Sequence, residues 1–292
     1  MHAKKNNKQI MIFLNHIQNI DKRILYIVMI AVISIPLVIM PNYHPNHIFK
    51  EVTDAYNTIE SVDENKIVFI STVWSGSTAA ENGEQTAVMV KHLFKRNKKF
   101  VIISWDQAGS KLTYDLIKSI SEEYKKKYGY DWVHLGYKIP NLQTLLRGFG
   151  TDFKATFKSD YFNTPLENIP LTKNIKNSSD FGVVIDITPS ATIEAWIAYF
   201  CEPYKVKLIY CPAAVQAASA YPFLDSGQIS GMLNGVIGAA QYETLIEENK
   251  NPTKAGAVSL SLSLAHILVL LLIIIGNMAY FIERKLRLGK ND

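Results

Sequence analysis

The chain has 292 residues, of which 48% are hydrophobic and 20% are charged, so it is long enough for one large domain or two small ones. Its net charge of +5 comes from the two ends: residues 1–23 carry five basic residues against one acidic residue, and residues 283–292 carry four against two. Residues 42–256 carry 22 basic and 23 acidic residues, so the middle of the chain lacks the basic footprint of a nucleic-acid-binding domain.

The first apolar segment, Ile24–Met40, contains no charged residue over 17 positions. That length is the lower limit for a helix that crosses about 30 Å of hydrocarbon. Pro36 near its end is tolerable in a membrane helix. A cleaved signal peptide is the alternative, but the MPNYHPNH stretch that follows lacks a small-residue cleavage site. We therefore predict a transmembrane helix over residues 24–41.

The second apolar segment, Val258–Ile282, is uncharged over 25 residues and predicts a longer transmembrane helix. The short basic flanks, 1–23 and 283–292, lie outside both segments, and the positive-inside rule places them in the cytoplasm as tails. Residues 42–257 then form an extracytoplasmic domain of a protein of the cytoplasmic membrane. We expect contact with the lipid bilayer and with other membrane proteins or a second copy of the chain.

Short apolar runs rich in β-branched residues recur between these segments. They are continuous rather than alternating, which is typical of strands covered on both faces in a parallel sheet. Helical patterns separate them at Ala79–Arg96, Lys111–Tyr128 and Ser190–Phe200, the last with Ser190 as a candidate N-cap. This alternation predicts an α/β fold with a Rossmann-like, doubly wound, mainly parallel sheet of about five strands. The predicted strands are Lys66–Thr72, Phe100–Asp106, Asp131–Tyr137, Gly182–Thr188 and Val206–Cys211.

Two stretches interrupt this alternation. Residues 140–180 predict an irregular insertion, which is either a lid or contact surface or merely a cover over one edge of the sheet. Residues 228–248 predict a helix with small residues at Gly231, Gly235 and Gly238. Each glycine destabilises a helix by about 1 kcal/mol relative to alanine. Close packing of the small-residue face against the sheet or another protein chain would offset that cost. The alternative is that the glycines form turns near a ligand.

Candidate ligand-binding residues follow the predicted strands, because ligands bind beyond the carboxyl ends of the strands in an open α/β sheet. The loop after the first strand is rich in hydroxyl groups and leads into a helix N-terminus, which favours an anion. It matches neither a P-loop, nor GxGxxG, nor a nucleophile elbow. The candidates are Ser75, Gly76, Ser77, Thr78, Asp106, Gln107, Tyr137, Asp186, Thr188 and Ser190.

The chemistry of the chain is weakly constrained by these patterns. Cys201 and Cys211 occur without a CxxC pair or a Cys/His cluster, so neither a zinc site nor a disulfide framework is predicted, and no cofactor is indicated. Without a complete catalytic constellation, we expect the domain to bind a small polar ligand or to dock a partner within a membrane complex. One alternative is an envelope-associated hydrolase or transferase that uses Asp106 and Asp186. Another is a structural subunit of a membrane assembly.

Overall fold

The computed structural model describes residues 20–138, 141–246 and 252–288, with side chains up to residue 285. Two units are distinct: one comprises the residues up to Tyr43 together with those from Ala257 onward, and the other is the domain His44–Gly256. The first unit contains the two apolar segments and the second contains the sheet.

The two apolar segments form helices α1 (Lys22–Ile39) and α11 (Ala255–Leu288). Both are long and apolar enough to cross a membrane. Their apolar side chains are exposed, as shown by Val38 (79% exposed) and Leu270 (58% exposed), whereas the core helix of a soluble protein buries such side chains. The prediction of two apolar helices near the ends of the chain is confirmed.

The domain His44–Gly256 is built on a six-stranded sheet with the order β3-β2-β1-β4-β5-β6, in which every neighbouring pair is parallel. This confirms the predicted α/β class and the mainly parallel sheet. The sixth strand has only two residues and pairs with Ile209 and Tyr210 of β5. The strands are β1 (Ile67–Thr72), β2 (Phe100–Ser104), β3 (Trp132–Tyr137), β4 (Phe181–Thr188), β5 (Lys207–Pro212) and β6 (Gly231–Met232).

Helices connect the strands and flank the sheet. The α-helices of the domain are α2 (Lys50–Glu60), α3 (Glu84–Lys95), α4 (Gln107–Glu123), α5 (Leu142–Thr151), α6 (Phe153–Phe157), α7 (Ile193–Trp196), α8 (Glu202–Tyr204), α9 (Ala214–Asp225) and α10 (Gly235–Leu245). Two π-helical turns, Ala79–Gly83 and Ile197–Cys201, precede α3 and follow α7, and two short 3₁₀ turns are Leu166–Asn168 and Ser178–Asp180.

Two helix starts differ from the sequence prediction. Helix α4 begins at Gln107 rather than Lys111, because β2 ends at Ser104 and the Asp106 side chain caps the helix by accepting the Gly109 N–H. Ser190 is not an N-cap: α7 begins at Ile193, with Thr192 at the N-cap position.

Residues 141–180 are more regular than the sequence predicts. Helices α5 and α6 place Phe149, Phe153 and Phe157 in the hydrophobic core. The ring of Phe149 stacks on Phe200 with centroids 4.2 Å apart and also contacts Phe69 of β1. The stretch therefore supplies much of the core on one face of the sheet.

The opposite face of the sheet is covered as well. Side chains alternate along a strand, so Val68 and Ile70 point away from the face that carries Phe69. Both are fully buried. Side chains on both faces of β1 are therefore buried, as the continuous apolar run in the sequence predicts.

The glycine-rich segment is not one helix. Gly231 lies in β6, where an added Cβ would come within 2.3 Å of the Ala55 backbone nitrogen in α2. Gly235 begins α10 with a φ of +52°, a conformation that L side chains rarely adopt. Gly238 lies in α10 against the backbone of Leu233. All three glycines therefore serve close backbone packing inside the domain.

Candidate functional site

The strand order reverses between β1 and β4, and in an open α/β sheet this switch point is where ligands are expected. Ser71, Asp186 and Tyr210 are register neighbours there and form one row across the sheet. Ser71 Oγ donates to Asp186 Oδ1 at 2.7 Å, and Trp105 Nε1 donates to Ser71 Oγ at 2.9 Å. Thr192 Oγ1 donates to Asp186 Oδ2. Asp186 has no exposed surface, so its hydrogen bonds are all internal to the domain.

The charge of Asp186 is governed by this burial. Desolvation raises the pKa of Asp186 to about 6, while the hydroxyls of Thr192 and Ser71 oppose the rise. The pKa values of the nearby groups Cys201, Tyr210 and Cys211 are raised above their ordinary values, mainly by their own burial. Asp186 is thus a fully buried acid whose neutral form is favoured by its surroundings.

The hydroxyl-rich loop after β1 lies near the surface. Ser75 Oγ and Ser77 Oγ are 3.2 Å apart, and Gly76 between them is exposed. Thr78 Oγ1 is buried and has no hydrogen-bond partner among the described residues. Downstream, Glu81 Oε2 accepts the N–H of Ala214 at 2.7 Å. That carboxylate occupies the N-terminus of α9, a position where an anion is favourable.

Thr188 and Ser190 form a turn after β4. Thr188 Oγ1 accepts the Ser190 N–H at 2.9 Å, and the Ser190 carbonyl accepts the Tyr210 hydroxyl at 3.2 Å. Thr188 is buried and Ser190 is exposed. The two residues shape the end of β4 by hydrogen bonds to each other.

A cleft of about 270 Å³ opens beyond the carboxyl ends of β2 and β3. Its walls are the first turn of α4, the end of β3 and the loop that contains Asp160. Gln107 and Tyr137, two of the predicted ligand-binding residues, line it, and this volume suits a small ligand. The lining residues are Gln107, Ser110, Lys111, Leu135, Gly136, Tyr137, Lys138, Asp160, Tyr161 and Asn163.

Asp160 holds one wall of the cleft in place. Its Oδ1 accepts the N–H groups of Phe162 at 2.9 Å and Thr164 at 2.8 Å, and its Oδ2 accepts the Tyr128 hydroxyl at 2.9 Å. The adjacent Tyr161 N–H donates to the His134 carbonyl of β3 at 2.8 Å. Together these bonds hold the loop against the edge strand β3. The Asp160 carboxylate itself accepts three of them, so most of its acceptor capacity is already in use.

Lys138 supplies a cation at the cleft. The side chain is half-buried, and its Nζ donates to the Ser159 carbonyl at 3.4 Å. Burial lowers the pKa of Lys138, and the negative charge of Asp160 opposes that change. The second lining lysine, Lys111, is exposed and pairs with Asp115 at 2.6 Å. Lys138 therefore has the weaker partner of the two lysines.

Ser110 and His134 are buried polar groups beside the cleft. Ser110 is 4% exposed, and its Oγ has no hydrogen-bond partner among the described residues. His134 Nδ1 accepts the Gly136 N–H at 2.6 Å, which places the ring proton on Nε2. Burial lowers the pKa of His134 to about 3, so the ring is neutral at ordinary pH. A buried polar atom without a partner is uncommon in native proteins and calls for an explanation.

Sequence reasoning missed Ser110, Lys138 and Asp160. A signal for Lys138 was present, since it directly follows Tyr137 at the end of β3. Ser110 lies in the first turn of α4, whereas the sequence pattern predicts a helix that begins only at Lys111. Asp160 lies in the stretch 140–180, and only tertiary packing brings it to the sheet.

Neither metal-ligand geometry, nor the cysteines, nor similarity to known proteins assigns a function to this chain. No group of three or more His, Cys, Asp or Glu side chains is placed to hold a metal ion in the part of the chain that the structure describes. Cys201 and Cys211 are buried free thiols. No protein-family model, no curated protein and no solved structure matches this chain. The arguments for function therefore rest on the geometry of the cleft.

Proposed function

We propose that this chain is a membrane-anchored protein whose α/β domain binds a small polar ligand in the cleft beyond β2 and β3. The cleft carries the proposal, because polar side chains converge there on a concave surface at the carboxyl edge of the sheet. The strand order supports a Rossmann-like, doubly wound domain, a fold whose ligand sites lie at this edge. That support is an analogy of fold and adds nothing about chemistry.

The proposed location is the cytoplasmic membrane, with both termini in the cytoplasm and residues 42–257 outside it. The support is the pair of apolar helices with short basic flanks on their outer ends. A reporter enzyme that is active only in the cytoplasm, fused after Glu248, should give no signal in cells. A strong signal from that fusion would reverse the topology.

Ligand binding is tested on the full chain in lipid nanodiscs against a panel of monosaccharides, sugar acids, amino acids and nucleosides. A ligand that binds only the folded state raises the midpoint of thermal unfolding, by an amount equivalent to about 2.7 kcal/mol at a concentration of 100 Kd. Tyr137→Ala, which removes a cleft wall, should abolish the shift for the compound that binds.

Tyr130→Ala is the matched control, because Tyr130 is 59% exposed and is not among the residues that line the cleft. Its shift should equal that of the unmodified chain. Failure of every compound to raise the midpoint, or equal loss in the two variants, would remove the cleft as the binding site.

The sequence left two alternatives open, an enzyme and a structural subunit, and the contacts of their candidate residues favour neither. An enzyme that uses Asp106 and Asp186 needs both carboxylates at substrate, whereas Asp186 has no exposed surface and Asp106 caps α4. A structural subunit that docks through Gly231, Gly235 and Gly238 needs those glycines at a surface. Each of them meets backbone or side-chain atoms of its own domain within 3 Å of an added Cβ.

A further inference from the structure

We propose, resting on the ligand-binding function above, that the cleft takes an anionic ligand, and that its carboxylate or phosphate group binds Lys138, Ser110 and the first turn of α4. The inference concerns the chemical class of the ligand. It follows from which donors and acceptors of the cleft are already engaged.

The charges of the lining favour an anion. Two lining residues, Lys111 and Lys138, are cationic and one, Asp160, is anionic. Asp160 accepts three hydrogen bonds from within the domain, so it has little capacity left for a ligand donor. Lys138 is less engaged: among the described residues its ammonium donates to the Ser159 carbonyl, at 3.4 Å, and is attracted by the charge of Asp160 without a hydrogen bond to it. A half-buried ammonium of this kind gains most from an incoming negative group.

The first turn of α4 adds further donors. The N–H groups of Gln107 and Ala108 begin a helix of 17 residues and have no acceptor within it. The positive end of the helix dipole lies at this turn, which contributes Gln107 and Ser110 to the cleft lining. Asp106 already takes the Gly109 N–H and offsets part of this field. Lys138 consequently supplies the larger share of the attraction.

Ser110 is an independent observation that points to a ligand. It lines the cleft, is 96% buried, and leaves its hydroxyl unpaired within the described chain. Such a hydroxyl gives up its bonds to water on folding and receives nothing in exchange. A ligand oxygen placed in the cleft would accept that bond.

The experiment uses the full chain in nanodiscs of phosphatidylcholine and isothermal titration with four probes: glucose, glucuronate, glucose 6-phosphate and inorganic phosphate. Glucose differs from the two sugar anions only by the charged group. We expect at least one anion to bind and glucose to bind at least about tenfold more weakly, since a charge-assisted hydrogen bond is lost.

Lys138→Met should weaken binding of that anion at least about tenfold. Ser110→Ala should weaken it by a smaller factor. Lys118→Met is the matched control: it removes the same charge from an exposed position of α4 outside the cleft and should change nothing. Thermal unfolding of each variant without ligand verifies that it folds.

The outcomes separate this inference from the function on which it rests. If glucose binds as tightly as the anions, or if Lys138→Met has no effect, the cleft binds a polar ligand but the anion assignment is overturned. If none of the four probes binds, the anion assignment is overturned, and the wider ligand panel decides separately whether the cleft binds another polar compound. A further titration uses nanodiscs that also contain phosphatidylglycerol. If this anionic lipid occupies the cleft, the soluble anion no longer binds, and the natural ligand is a lipid headgroup. If the soluble anion still binds, the ligand is a free solute.

Discussion

Two places along the carboxyl edge of the sheet differ sharply. At the switch point between β1 and β4, the hydroxyls of Ser71 and Thr192 donate to Asp186, and Trp105 Nε1 donates to Ser71. One strand away, beyond β2 and β3, the edge opens into a cleft of about 270 Å³. The strand order favours a ligand site at the switch point, but of these two places the cleft beyond β2 and β3 is the one with space for a ligand.

The difference shows what a switch point contributes. Reversal of the strand order separates the loops after β1 and β4 and creates room between them. Whether that room stays open depends on the side chains that project into it. Here Asp186 is fully buried and bonded to the hydroxyls of Ser71 and Thr192, whereas the half-buried Lys138 and Ser110, whose hydroxyl has no partner among the described residues, line an open cleft.

The largest expected effect comes from opening the closed network. At pH 5, Asp186→Ala should lower the free energy of unfolding by about 2–4 kcal/mol, because the buried Ser71 hydroxyl and the partly buried Thr192 hydroxyl lose their acceptor and a void remains. The measurement is denaturant unfolding of the full chain in detergent, followed by tryptophan fluorescence. Asp186→Asn keeps the shape and should cost no more than about 1.5 kcal/mol. Equal losses in the two variants would show that the network does not hold the switch point closed.

The second effect is the pH dependence of the same network. The pKa of Asp186 is raised from 3.8 to about 6, so the folded state binds the proton more tightly than the unfolded chain. Stability from this group is therefore full below about pH 4 and is lost as the pH rises through about 6, a loss of about 3 kcal/mol.

Asp186→Asn cannot titrate and provides the reference for that measurement. The free energy of unfolding of the unmodified chain, minus that of the variant, should fall between pH 4 and pH 7. A difference that is flat, or that rises with pH, would contradict burial as the cause of the shift.

The third expected effect concerns Gly109 in the first turn of α4, which packs against Trp74 in the loop after β1. An added Cβ on Gly109 would come within 1.8 Å of the Trp74 carbonyl oxygen, at the first turn of α4. Gly109→Ala should destabilise the protein by about 1–3 kcal/mol through overpacking, and should weaken ligand binding by moving that turn. Gly76→Ala is the control, since nothing lies within 4 Å of its added Cβ. It should stay within about 0.5 kcal/mol of the unmodified chain in unfolding experiments.

The smallest effect has the opposite sign. Ser110→Ala removes a buried hydroxyl that has no partner in the described part of the chain, so the ligand-free protein should gain about 1 kcal/mol of stability. The same variant should bind ligand less well, which is the signature of a functional group held at a cost in stability. Ser121→Ala, on the same helix, removes a hydroxyl that donates to the Lys118 carbonyl at 2.8 Å and should not stabilise. A destabilised Ser110→Ala would mean that the hydroxyl serves the fold alone.

Much of the fold was predictable because its signals are local. Continuous β-branched runs located five strands, and their bounds differ from the observed ones by two residues at most. Strand β6 escaped detection because two residues, Gly231 and Met232, carry no period. Helix α6 had a usable signal: Phe153 and Phe157 are four residues apart, which is the spacing of one helix face.

The site was less predictable. Gln107 and Tyr137 were found because both directly follow strands, and residues after parallel strands share one edge of the sheet. Asp186 was chosen by the same rule, and the structure buries it completely. Position in the chain identifies the edge, but burial depends on Thr192, Trp105 and Ser71, which come from three separate segments.

The sequence by itself determined the class of protein: two long apolar helices and, between them, a parallel α/β sheet. Those features follow from hydrophobicity and its period, which are properties of neighbouring residues. Only the tertiary structure decided which part of the carboxyl edge is closed and which is open. That choice depends on contacts between residues more than 30 positions apart, such as Ser71 with Asp186 and Tyr128 with Asp160, and no local pattern encodes them.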